Sequence, residues 1–187
     1  MAEASAKLSP LLQSALIAIH GAIKGMTDEQ LSWHPGSKWS SVEILEHLSL
    51  AYSRTAERMR PFVQQELPAV RRRTFKEWAG GVIVLKIGRI PSGRKAPEGL
   101  SPKGMSPSQA RTCIEERLLQ LDQAIDLCEQ RFGASRNILD HAILGPLSTS
   151  EWRKFHYVHT LHHMNQIHVL REKINVGTNS QIKNHKS

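Results

Sequence analysis

Five of the ten histidines in this chain fall in a single stretch, Phe155-His156-Tyr157-Val158-His159-Thr160-Leu161-His162-His163-Met164-Asn165-Gln166-Ile167-His168. Imidazole binds metals, shuttles protons and satisfies buried polar groups, so the first question is which way these rings point. On a helix turning about 100° per residue, Trp152, Phe155, His159, His163, Gln166 and Leu170 share one arc. His156 and His162 flank it, and His168 points away. The largest apolar groups mark the inward face, and His159 and His163 lie in its middle, four residues apart. Such a pair can offer a metal two neighbouring imidazoles. It can equally be two core histidines held by hydrogen bonds. A metal would need a third ligand. His47 sits at the edge of an apolar arc formed by Ile44, Leu45, Leu48, Ala51 and Tyr52. His34 precedes a Pro-Gly turn, His20 lies on the polar side of its helix, and His141 falls in a connecting segment.

Four helical segments must position these groups. The first spans about 9–24, where Ser9-Pro10 gives an N-cap followed by proline, Leu12, Ala15, Leu16, Ile19 and Ile23 form a stripe, and Gly25 is a stop. The second spans about 40–66, opened by a Ser40/Glu43 capping box, with Pro61 placed to end it early. The third spans about 106–131, capped by Ser106 and Gln109 and stopped at Gly133. The fourth spans about 149–174, capped by Ser148 and Glu151, with a polar tail over 176–187. Between the second and third lies a crossover, 67–105, far longer than the roughly 2–8 residues usual between packed helices. Within it Phe75, Trp78, Val82 and Leu85 are spaced for one face of a short helix over 74–87, despite Gly80-Gly81. That apolar stripe needs cover, from the bundle itself or from a second copy in a homodimer. No strand alternation is evident. Trp33 and Trp39 are expected against the bundle end and Trp152 against the histidine pocket.

The segment before His47 carries a resemblance. Leu31-Ser32-Trp33-His34-Pro35, then Trp39-Ser40, then a helix running to His47-Leu48, resembles the opening signature of the DinB/YfiT-like superfamily. Its second signature, an H-x-x-x-H followed by Gln-Ile on the last core helix, matches His159 to Ile167. His141-Ala142-Ile143-Leu144-Gly145-Pro146-Leu147 followed by Glu151-Trp152 resembles one branch. The resemblance implies an all-α four-helix bundle over 1–175, with its long crossover between the second and third helices. It also implies a divalent metal held by His47, His159 and His163.

Three imidazoles leave coordination positions open, which is the mark of a catalytic site. Such an ion could activate water or a thiolate, so the expected function is a metal-dependent hydrolase or a thiol-dependent transferase acting on a small molecule. Members of the superfamily share a fold rather than one reaction, so a non-catalytic, stress-associated ligand-binding bundle is the alternative. Zinc or nickel suits an all-imidazole set; iron or manganese would want an added carboxylate. A low-molecular-weight thiol is a candidate cofactor. Gln166 and His162 are candidate supporting groups. Arg54 and Arg58 share the helical stripe of His47 and could hold an anionic substrate or cofactor, or form a solvated edge paired with Glu57 or Glu66. His156 is expected at the surface.

Composition narrows the classes. Two cysteines, Cys113 and Cys128, exclude a disulfide scaffold and a Cys-rich zinc module. The formal charge of +8 raises nucleic acid as a partner, but no binding module or aromatic interleaving accompanies it. The excess around Arg71-Arg72-Arg73, Lys86, Arg89, Arg94 and Lys95 reads as a solvated loop. No segment is apolar enough to span a membrane and no leader pattern opens the chain, so a cytoplasmic protein is expected.

Overall fold

The computed structural model describes residues 7–66, 70–91 and 96–184, with side chains as far as residue 176. Arg94, Lys95 and His185 lie outside these residues. The chain is mostly helical. In order it forms α1 (Pro10–Ile23), α2 (Asp28–Ser32), α3 (Ser41–Met59) with a 3-10 turn (Arg60–Val63), α4 (Phe75–Gly81) continued by a π turn (Val82–Ile87), α5 (Pro107–Phe132), the strands β1 (Asn137–His141) and β2 (Gly145–Ser148), and α6 (Thr149–Asn184). Helix α3 packs on α5, and α1 packs on α6. One core joins them, with Leu12 and Ile19 of α1, Leu45, Leu48 and Tyr52 of α3, Leu118 and Leu121 of α5 and Ile167 of α6 in one apolar cluster.

The local signals set most boundaries. The capping boxes at Ser40/Glu43, Ser106/Gln109 and Ser148/Glu151 are all formed, and α2 and α4 add two more at Thr27/Gln30 and Thr74/Glu77. Pro61 ends α3 at Met59, because a helix interior cannot accept its missing N–H. Gly133, at φ 84°, closes α5. Ser9 occupies the α1 cap position without capping it. Its N–H and hydroxyl instead donate to the buried Asp122 carboxylate, at 2.5 and 3.0 Å. Arg153 of α6 donates to the same carboxylate and pairs with Asp126 and Glu129. One buried acid therefore ties α1, α5 and α6.

Several expectations need correction. A two-stranded antiparallel hairpin, β1 with β2, stands where no strand was expected. Every residue of β2 is buried, so no inside–outside alternation announces it. Helix α6 continues past Gly177 to Asn184; one interior glycine costs only about 1 kcal/mol relative to alanine, too little to stop a long helix. The short helix in the crossover forms, but its core face is rephased. The π turn admits an extra residue, so Val84 is buried while Phe75 and Trp78 are 81% and 55% exposed. Trp33 is also outward.

The crossover is pinned at both ends rather than solvated. Arg71 pairs with Glu77 and Asp140, and Arg73 pairs with Glu151 and donates to the Pro146 carbonyl, fastening α4 to the hairpin. At its far end the buried Glu46 of α3 accepts the N–H groups of Lys103, Gly104 and Met105 at 2.6, 3.0 and 2.9 Å. No helix of the described residues is long and apolar enough to cross a membrane.

Replacing Glu46 by Ala removes the acceptor of three backbone donors. The Glu46→Ala variant is expected to lose about 2–4 kcal/mol of stability, read from urea unfolding at neutral pH. An unchanged midpoint would mean the carboxylate does not hold the crossover.

Candidate metal centre

Helix α3 delivers His47 and α6 delivers His159 and His163 to one point. The Nε2 of His159 lies 3.4 Å from that of His47 and 3.0 Å from that of His163, and the three form the group able to hold a metal among the described residues. His47 and His163 are buried and His159 is partly so.

The other ring nitrogens decide what these atoms offer. His47 Nδ1 is 2.8 Å from the Leu100 carbonyl. A carbonyl only accepts, so Nδ1 carries the proton and Nε2 presents a lone pair. His163 Nδ1 donates to Gln166 Oε1 at 2.8 Å, while the Gln166 amide nitrogen donates to His162 Nε2 at 3.3 Å. Both ends of the amide are matched, and His163 also turns a lone pair inward. His159 Nδ1 is buried without a partner among the described residues. Its ring stacks on Phe155, with centroids 5.4 Å apart. Three Nε2 atoms thus face one another with at most one proton between them. Separations of 3.0 and 3.4 Å bring the three atoms close enough for one ion to reach all of them. With its outer hydrogen bonds, this donor set could hold a metal ion.

Burial keeps the rings neutral. His47 is held below the usual imidazole value by burial, partly opposed by the Leu100 hydrogen bond. His159 is pushed well below it by burial and its histidine neighbours, and His163 falls to about 3, chiefly through burial. Neutral imidazole is the form that binds metal.

Around the cluster lies a cavity of about 1220 Å³. Trp39 forms part of its wall, 5.0 Å from the His47 ring. His162 and Gln166 line it too. Arg54 and Arg58 do not, among the described residues; Arg54 donates to the Glu98 carbonyl at 2.6 Å, and neither forms the expected pair with Glu57 or Glu66.

Two histidines stand differently from expectation. His156 is buried, not at the surface. Its Nε2–H donates to Thr55 at 3.1 Å, and Trp152 stacks on it. Helix α3 covers that flank of α6, a contact no wheel of α6 alone can show. Burial lowers its pKa to about 3. His141, seen in sequence only as part of a connection, lines the cavity against Phe155. Its Nδ1 accepts the N–H groups of Ile143 and Leu144, and burial and the Arg58 charge lower its pKa to about 4. The signal for it was the tight turn after His141, which leaves two N–H groups in need of an acceptor. His20 pairs with Glu115 at the surface, and His34 lies beside Glu43.

A family model described as the DinB superfamily matches residues 12–167. The uncharacterized protein YuaE of Bacillus subtilis (strain 168) is 28% identical over 168 residues, spanning 88% of this chain and 97% of that protein. No solved structure gives a significant match.

The buried imidazoles predict acid lability. In the folded chain His156 and His163 titrate near 3 and His141 near 4, against 6.5 for the free side chain. Below pH ~6.5 the unfolded chain therefore takes up protons that the folded chain refuses, and stability falls with falling pH. Each such group contributes about 1.4 kcal/mol per pH unit in that window. With chelator present, the urea midpoint is expected to be clearly lower at pH 5.5 than at pH 7.5. Equal midpoints would show that the rings are not held neutral.

Proposed function

The chain belongs to the DinB superfamily, and from that membership and its three facing imidazoles we propose that it is a divalent-metal-dependent enzyme acting on a small molecule, as a hydrolase or a thiol-dependent transferase. The observation that carries this reading is the convergence of three imidazole Nε2 atoms from α3 and α6 on one wall of a large cavity. In this reading the four long helices α1, α3, α5 and α6 make the bundle of the superfamily. His47, His159 and His163 hold the ion, and zinc or nickel suits a set of nitrogens with no carboxylate lining the described cavity. The ion would supply Lewis acidity at coordination positions that three protein ligands leave open.

The chain's own groups do the rest. The Leu100 carbonyl and Gln166 orient two of the rings through Nδ1, and Phe155 fixes the third by stacking. Apolar walls at Ile44, Val84 and Leu170 exclude water from the reacting group. His162 Nε2 accepts from the Gln166 amide, and burial lowers its pKa, so it stands neutral beside the cluster. A proton from an incoming hydroxyl or thiol would enter at that Nε2, in exchange for the Gln166 hydrogen bond. Gln166 couples that base to His163.

Metal analysis of the purified protein is expected to give one divalent ion per chain. His47→Ala, His159→Ala and His163→Ala should each abolish that stoichiometry. Gln166→Ala, which frees His163 to turn, should weaken affinity by ~10–100-fold without abolishing binding. Full metal content in the three histidine variants would refute the site. Screens of the loaded protein for ester and amide hydrolysis, and for conjugation of thiols to electrophiles, test the reaction class. Stoichiometric metal with no turnover in either would favour a ligand-binding bundle.

A further inference from the structure

The cavity is long, and its chemistry changes along its length. His159, His163, Gln166, Leu170 and Lys173 all line it. They follow one another at intervals of four, three, four and three residues, so they form one stripe along α6. From His163 to Lys173 that stripe runs ~15 Å at 1.5 Å per residue. Beside it lie Ile44, Ile83, Val84, Ile90 and Val169, an apolar wall. A volume of about 1220 Å³ exceeds the roughly 300–1,000 Å³ of ordinary small-ligand pockets.

Among the described lining residues, charge stands at one end. Among the described residues that line the cavity there is no Asp or Glu, and the cations are Lys38 and Lys173. Both are exposed and neither forms an ion pair with a described residue. They belong to the same end of the molecule. Arg171 of α6 donates to the Ala22 carbonyl in the last turn of α1. From that end the chain passes through α2 and the 33–40 loop into α3, carrying Lys38 three positions before the helix begins. The described lining at the opposite end, His141 and Phe155, is aromatic, and the Arg58 charge reaches His141 from outside that lining.

We infer that the cavity takes an elongated apolar molecule with one anionic head, its head held by Lys38 and Lys173 and its reacting group at the three imidazoles, ~15 Å along α6 from Lys173. The apolar wall accounts for the body and the unpaired ammonium groups for the head. Lysines act as point charges rather than as a planar fork, so they select a negative head, carboxylate or phosphate monoester, and not its shape. A cationic head would meet two like charges and no carboxylate. The reacting end rests on the metal-centre reading above; the head end rests on the lining alone.

Calorimetric titration of the full chain, loaded with its metal, tests this with dodecanoate, dodecyl phosphate, dodecanol and dodecylamine below their aggregation thresholds. Both anions are expected to bind at least ~10-fold more tightly than the alcohol, and the amine most weakly. The order of the anions then identifies the head. The double variant Lys38→Glu/Lys173→Glu alters exposed side chains, so its helix content should be unchanged by circular dichroism. It should reverse the preference, binding the amine over the acid. Affinities within ~3-fold across the four ligands, or an unaltered order in the double variant, would overturn the inference. Metal content is measured on the same samples. A metal-free protein that still prefers the anions would refute the metal centre alone, and a metal-loaded protein without that preference would refute the anionic head alone.

Discussion

Lone pairs brought within hydrogen-bond distance of one another repel, and the rest of this structure holds at least two of them, on His47 and His163, around His159. His47 and His163 cannot relieve the repulsion by swapping tautomer. Each has its proton committed at Nδ1, to the Leu100 carbonyl and to Gln166. His159 cannot swing away, because Phe155 lies flat on its ring. Burial keeps all three from relieving it by protonation. A proton on His159 Nε2 serves one neighbour at a time, whereas a positive ion would serve all three, so the packing suits the site to a cation.

The crossover is part of that preparation. Leu100, the acceptor for His47, lies in a segment without helix or strand of its own. Glu46, the residue before His47, fixes that segment by accepting three consecutive N–H groups from Lys103 to Met105. Adjacent residues of α3 therefore act on one loop, Glu46 anchoring it and His47 using it. At the other end, the Arg71 and Arg73 ion pairs set α4 against the hairpin. Gly145 opens β2 at a positive φ of 68°, and a Cβ there would meet the Glu77 carboxyl at 2.8 Å. The hairpin, α4 and α6 thus close around the cavity that the imidazoles face.

What could be read in the sequence was what local chemistry decides. Helix starts at Ser40, Ser106 and Ser148 were legible because a capping box is complete within four residues. The His159/His163 pair was legible because a single helix sets their spacing. The wheel placed His47 at an arc edge, which agrees with a ring lining a cavity between helices, but only the resemblance singled it out from His34 and His141. Contacts from elsewhere in the chain were not legible. His156 is buried by Thr55 and Tyr52 of another helix. The basic run at Arg71–Arg73 looked solvated because two of its partners, Asp140 and Glu151, lie about seventy residues further on, and only Glu77 is local. The hairpin hid because four consecutive buried residues, one of them Pro146, leave no alternation to detect.

The central claim is that His47, His159 and His163 together hold one ion. X-ray absorption at the edge of the bound metal reads that shell directly. The account predicts a first shell of nitrogen and oxygen only, with the outer-shell scattering of three imidazoles, falling to two in a His47→Ala protein reloaded at high metal. Sulfur scattering, or an imidazole count that does not change in that variant, would contradict it.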